Sequence, residues 1–314
     1  MSLTEGQVLG GLFGVCIGDA LGVPVEGLSR SQLKKNPVQG YGYGHAFRAV
    51  PPGWWSDDSS LTLCLAESLT SGSLDPSDIG SKFCRWLYEG YWTPGGRAFG
   101  IGFTTAQAIE RIGEGVPPPL AGGRDEYSNG NGSLMRILPL AFYLFGREEP
   151  GCLEAVHQVS SITHAHTRSC IACFIHVQYA LNLLRGDSPQ ESYARMRQSV
   201  SDCYREGPFL DELPHFERVF GGDISRLRES EIRSSGYVVD TLEASLWCFL
   251  KEKTFAETVL HAVNLGGDTD TTGAVAGGIA GLYYGFDAIP GEWTERVARR
   301  DDIVSVGKKL LAVY

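Results

Sequence analysis

Two short acidic runs, far apart in the chain, hold most of its capacity for chemistry. Ser56-Asp57-Asp58 follows Trp54-Trp55 and precedes the apolar residues Leu61, Leu63, Cys64 and Leu65. Gly266-Gly267-Asp268-Thr269-Asp270-Thr271-Thr272-Gly273 likewise leads into an apolar stretch. Both patterns mark helix N-termini, where a Ser or Asp oxygen satisfies a free N–H and a carboxylate meets the positive end of the dipole. Capping needs one oxygen, whereas the second run offers two carboxylates and three hydroxyls. Four carboxylates brought together repel strongly unless a cation neutralises them. The donors are all hard oxygens, which suits Mg²⁺, Mn²⁺ or Ca²⁺ rather than zinc. For these residues alone, capping and cation binding both stand.

Other residues add weaker signals. Asn129-Gly130-Asn131-Gly132-Ser133 precedes an apolar segment. Such a glycine-rich turn at a helix start presents backbone N–H groups to an anion such as phosphate, or is an ordinary capped loop. His164 and His166, in Thr163-His164-Ala165-His166-Thr167-Arg168, are a metal pair or a loop with satisfied imidazoles. Arg168 suits a phosphate or a carboxylate. Asp19 falls among glycines on an apolar segment, where a charge is costly unless partnered, so it reads as a structural hydrogen-bond hub. Glu26 follows Pro24 in a turn, from which its carboxylate can reach a site.

The elements that must position these residues read as helices. Helical spacing covers 6–22, 59–71, 76–90, 101–112, 133–145, 151–161, 168–185, 189–203, 238–251, 255–264 and 271–285. Segments 36–54, 93–96 and 113–132 read as Pro/Gly-rich loops, and 205–236 as a polar, irregular excursion. No Asn-Gly or Asp-Gly turn joins two alternating runs. The expected fold is all-α, a single domain over 1–314. Gly10, Gly14, Gly18 and Gly22 recur every fourth residue, as do Gly273, Gly277, Gly281 and Gly285. Each glycine costs a helix about 1 kcal/mol relative to alanine. Two such stripes predict helices whose backbones approach closely, most simply each other. Internal packing of the stripes favours a monomer.

The chain has 314 residues, 43% of them hydrophobic and 20% charged, enough to bury a large core. With 27 basic and 37 acidic residues its formal charge is −10. No basic stripe tracks a phosphate backbone, which argues against nucleic acid as a partner. Cysteines lie mainly in apolar stretches, and the one CxxC, Cys170 and Cys173, has no second pair; free thiols in a reducing compartment are expected. The N-terminus lacks a basic leader, and the apolar run 271–286 falls short of the roughly 20 residues a bilayer needs. The expected location is the cytoplasm, with no membrane span.

Taken together these motifs resemble the ADP-ribosylglycohydrolase family. The matching pieces are GDALGVPVE at 18–26, WSDDSSLTLCLAESL at 55–69, NGNGSLMR at 129–136, THAH at 163–166 and VNLGGDTDTTGAVAGGIAGLYYG at 263–285, in family order. The resemblance implies an orthogonal helical bundle with a binuclear Mg²⁺ or Mn²⁺ centre. It implies Ser56, Asp57, Asp58, Asp268, Asp270 and Thr271 as ligands and Glu26 on the loop above them. It places the diphosphate and adjacent ribose of ADP-ribose along Ser128, Asn129, Gly130, Asn131, Gly132 and Ser133, with His164 nearby. The implied reaction frees ADP-ribose from an ADP-ribosylated protein or related conjugate, with Asp270 or Glu26 orienting or deprotonating a water.

The resemblance breaks at one segment. Where arginine-directed members carry an aspartate and an amide, this chain has Gly100 and Phe103, in Gly100-Ile101-Gly102-Phe103-Thr104-Thr105. The acceptor is therefore open between arginine, another side chain, a nucleobase and a small molecule, with Asp240 or Glu243 as acids that could compensate. Two other functions compete: a metal-dependent nucleotide phosphohydrolase, and a non-catalytic binder of ADP-ribose.

Overall fold

The computed structural model describes residues 2–42, 50–147 and 149–314; part of the expected 36–54 loop lies outside them. Among the described residues the regular structure is helical, and the only pairings of β type are isolated bridges, Gly123 with His164 and Gly130 with Tyr237. Six helices line the acidic cleft or back its walls. They are α1 (Glu5–Gly22), α2 (Asp57–Leu69), α3 (Phe103–Gly113), α4 (Thr167–Leu184), α5 (Val238–Lys251) and α6 (Thr269–Tyr284).

The centre of the molecule is the antiparallel pair α1 and α6. Gly10 faces Gly281, Gly14 faces Gly277 and Gly18 faces Gly273, and a Cβ at any of the six would overlap the opposite backbone carbonyl. The two stripes do pack on each other. At the end of the seam the pattern changes: Gly22 faces the backbone of Thr269 and Asp270, and Gly22 O accepts from Thr269 Oγ1 at 2.8 Å. Gly285 has no such partner; it ends α6 with φ +84°. The seam therefore fixes where the second acidic run stands relative to Asp19 and Glu26. α1 has the length and apolarity of a membrane span, yet nearly all of it is buried inside the protein.

Short helices not expected from the spacing occur at Arg30–Lys35, Pro118–Ala121, Pro208–Glu212 and Glu217–Phe220, and two longer segments also differ from the expected pattern. The span 133–145 is not one helix: a 3₁₀ turn at Leu134–Arg136 is followed by an α-helix at Pro139–Leu144. Pro139 has no N–H to give the preceding turn, so the chain restarts with it at the first helical turn. Beyond 285, Gly291–Arg296 and Arg300–Val313 form further helices. The last presents Ile303, Val306 and Leu310 to the core, while its remaining positions are polar enough to mask the period.

Candidate active site

The first acidic run opens α2 as its spacing predicts. Ser56 caps the helix: its Oγ accepts from Asp58 N at 3.4 Å and donates to Asp58 Oδ2 at 2.9 Å. Asp19, one turn from the end of α1, reaches across to the same turn. Its Oδ2 accepts from Ser59 Oγ at 2.6 Å and from Ser59 N and Ser56 N at 3.0 Å. This is the hub its sequence position predicted, and it clamps α2 against α1.

The second run is set by Gly266 and Gly267, whose φ angles of +77° and +75° favour glycine. The turn lets Gly267 N donate to Leu28 O while Gly27 N donates to Gly267 O, both at 2.8 Å. Glu26, next to Gly27, is thereby brought beside Asp268 and Asp270. Arg30 locks the arrangement by donating to the carbonyls of Leu265, Glu229 and Ile232. Asp268 N donates to Ser234 O at 2.8 Å, and α6 begins one residue later.

Glu26, Asp57, Asp58, Asp268, Asp270 and Thr271 line one cavity of about 350 Å³. Carboxylate oxygens of Asp19, Asp58 and Asp270 all lie within 4.8 Å of one another, close enough to share an ion. Burial pushes the carboxyl of Asp57 up to about 8, reinforced by the charges of Asp19, Asp268 and Glu26. Asp58 and Asp270 are also pushed well up, first by burial and then by neighbouring carboxylates. Asp19 is raised to about 6 by burial against the pull of its serine hydrogen bonds. Asp58 Oδ1 is buried with no hydrogen-bond partner. A buried acceptor without a donor, inside a crowd of carboxylates, fits a hard cation. Asp19 fits it less well as a ligand, because its oxygens already accept from Ser56 and Ser59. Ser56 is buried, with its hydroxyl held against Asp58.

The glycine turn forms the facing wall. Gly130, Asn131, Gly132 and His164 line the cavity, together with Gly100 and Phe103. Ser128, Asn129 and Ser133 instead turn into the protein. Asn129 Oδ1 accepts from Ser169 Oγ at 3.2 Å, and Ser133 Oγ accepts from Ser160 Oγ at 2.9 Å. A Cβ on Gly132 would lie 2.8 Å from the His164 ring, so the turn must be glycine to lie over that imidazole. Burial lowers His164 to about 3, and Arg136 nearby adds to this, so the ring is neutral near pH 7. Thr163 Oγ1 bonds its Nδ1 at 2.8 Å.

Several contacts of the site are not evident in the linear sequence. Asn131 Nδ2 donates to Asp268 Oδ2 at 2.9 Å and to Thr241 Oγ1 at 2.8 Å, tying the turn to the acidic run and to α5. Arg136, fully buried, donates to the carbonyls of Gly132 and Val159 and holds the turn from behind. Gly102, Thr104, Thr105, Tyr127, Met135 and Gly236 complete the lining. Only the repeated asparagines and the Arg of NGNGSLMR offered a signal. His166 leaves the cavity and stands 3.7 Å from Glu126. Glu126, His166 and Glu212 also lie close enough to share an ion, but Arg168 pairs with both acids at 2.7 Å. Asp240 and Glu243 line another cavity, with Arg218 and Arg233. Cys170 and Cys173 are buried free thiols, Cys173 within 3.3 Å of Ser133 Oγ.

Known proteins resemble this chain along nearly its whole length. The ADP-ribosylglycohydrolase family model matches residues 2–314. ADP-ribosylarginine hydrolase Tri1 of Pseudomonas putida (strain GB-1) is 34% identical, over 98% of this chain and 80% of that protein. The ADP-ribosyl-[dinitrogen reductase] glycohydrolase of Rhodospirillum rubrum is 32% identical, over 93% of this chain and 90% of that protein. A solved structure described as an ADP-ribosylglycohydrolase-related protein complex superposes with a TM-score of 0.80 at 34% identity, covering 98% of each chain. The chain therefore belongs to the ADP-ribosylglycohydrolase family, as one of its hydrolases.

Proposed function

We propose that this chain hydrolyses the glycosidic bond between ADP-ribose and a protein side chain, at a centre of two divalent ions, Mg²⁺ or alternatively Mn²⁺. The observation that carries the reading is the convergence of Glu26, Asp57, Asp58, Asp268, Asp270 and Thr271 on one cavity faced by Gly130–Gly132. The names of similar proteins, ADP-ribosylarginine hydrolase among them, support arginine as the acceptor.

Asp57, Asp58, Asp268 and Asp270, with Ser56 and Thr271, are the groups that would hold the ions. The ions when bound would neutralise these carboxylates and supply Lewis-acid activation of water. The wall formed by Gly130, Asn131 and Gly132, with neutral His164 beneath it, receives the diphosphate, for which backbone N–H groups are the natural donors. This leaves the distal ribose over the acids. Asp270 or Glu26 takes a proton from the attacking water. The new bond forms at the anomeric carbon. The bond to the acceptor breaks with its electron pair passing to the acceptor nitrogen, which takes up the proton that the carboxylate accepted from the water. Positive charge developing on the ribose ring is stabilised by the surrounding carboxylates. Ser128, Asn129 and Ser133 support the wall from behind.

Asp270→Asn tests the assignment. Release of free ADP-ribose from an ADP-ribosyl-arginine peptide is expected to fall by about 10³-fold or more, with the helical circular dichroism unchanged. Near-normal turnover would refute the site. AMP or inorganic phosphate as the wild-type product would assign the chain to phosphohydrolysis instead.

A further inference from the structure

Two of the most exposed large apolar side chains of the protein stand at the mouth of the acidic cleft, Phe103 at 78% and Tyr127 at 96% exposure. Phe103 is the first residue of α3. The chain on either side of it is pinned. Gly100 has φ +82°, and a Cβ there would lie 2.5 Å from Asp57 Oδ1 and 3.1 Å from Ser56 Cβ. A carboxylate side chain at position 100 would displace Asp57 and add charge to an already crowded cluster. On the other side Thr105 is buried, with Oγ1 only 2.9 Å from where a Cβ on Gly132 would stand. The segment therefore bridges the acids and the glycine turn, and between those two anchors the Phe103 ring projects into solvent. An aromatic ring gains its usual stabilisation by burial. This one forgoes it at the one place where a bound substrate would cover it.

We infer that Phe103 is an acceptor-specificity residue, whose ring face holds the guanidinium of an ADP-ribosylated arginine in place of a carboxylate. The inference rests on the function proposed above and names how the same site reads its acceptor. A guanidinium is planar, weakly hydrated and charged, and it stacks well on an aromatic face. Phe103 supplies that face without a negative charge next to Asp57. A serine acceptor, joined through a neutral oxygen, has no group to place there.

Phe103→Leu keeps an apolar side chain and removes the ring face, and Phe103→Tyr restores it. With Mg²⁺ present, KM and kcat are measured on two peptides of the same sequence, one carrying ADP-ribosyl-arginine and one ADP-ribosyl-serine. Inhibition by free ADP-ribose is measured alongside. The expected result for Phe103→Leu is a KM for the arginine conjugate raised about three- to tenfold, with kcat and inhibition by ADP-ribose unchanged. Phe103→Tyr should return KM to near wild type, and the serine conjugate should show no comparable shift. Equal losses on both conjugates, or an unchanged KM for the arginine conjugate, would overturn the inference. If the wild type turns over neither conjugate, the proposed function has failed. The same comparison is then read from binding: the Kd ratio of arginine conjugate to free ADP-ribose rises in Phe103→Leu if the inference holds, and stays constant if it does not.

Discussion

The two walls of the cleft are built in opposite ways. The wall of α1 and α6 is backbone against backbone: three glycine pairs leave no room for a side chain, and the acids stand at the end of that seam. The outer rim, at Phe103 and Tyr127, presents side chains that little else in the protein touches. A seam of this kind leaves the acids one position relative to each other, because moving them means separating two helices. The rim can change its residues at small cost in stability. The contrast separates what an ADP-ribose hydrolase must keep, the geometry of its acids, from what it can vary, the surface that meets the acceptor.

The largest expected effect comes from breaking the seam. Gly18→Val places a branched side chain against the Gly273 carbonyl, in backbone that cannot move aside. A loss of about 3 kcal/mol or more is expected, seen as a collapse of soluble yield or a much lower Tm by circular dichroism. Gly6→Ala is the control within the same helix, since its Cβ would meet nothing within 4 Å. It should stabilise slightly, by up to about 1 kcal/mol. If the two variants melt alike, the seam is not what fixes the acids.

That seam was legible in the sequence because glycine every fourth residue has few other uses in a helix. The acidic runs were legible because they cluster more oxygens than a cap needs. Asn131 was read only as part of the turn, whereas its amide bonds Asp268, a pairing made by the chain's path between 131 and 268 rather than by any local pattern. The 133–145 segment was read as one helix from its apolar content, and Pro139 ended that reading. His164 and His166 looked alike by spacing, yet one lies under the glycine turn and the other faces Glu126, because His166 is the N-cap of α4, its Nδ1 accepting from Arg168 N at 3.2 Å.

A middle-sized effect follows from removing metal. In the metal-free protein Asp57 (about 8), Asp58 and Asp270 hold protons that the unfolded chain releases near pH 4. Their folded pKa values are raised, so the stability linked to them is present at low pH and is lost as pH climbs toward 8. His157 and His176, each lowered to about 4, and His164 act oppositely: their contribution stands above pH 6.5 and fades as pH falls toward 3–4. Between pH 6.5 and 8 the carboxyls dominate. Cations that let these acids ionise in place would cancel the loss. The Tm difference between Mg²⁺-saturated and EDTA-treated protein is therefore expected to be several degrees larger at pH 8 than at pH 5.5, by differential scanning fluorimetry. A pH-independent difference would remove the acids from the metal-holding role.

The smallest effect tests the other wall. Tyr127 follows Asp125, whose side chain caps the short 3₁₀ turn at Glu126–Ser128 by accepting from Tyr127 N at 2.9 Å. The turn is held by that backbone bond and by the inward-facing Ser128, and the tyrosine ring adds almost no burial. Tyr127→Ala removes the ring and keeps the backbone N–H that caps the turn. Stability should change by no more than about 0.5 kcal/mol, read from urea denaturation with an unchanged m-value. A loss several times larger would mean that the rim is tied into the fold as firmly as the seam. In that case the rim could not vary independently of the acids, and the division of the cleft into a fixed wall and a variable one would fail.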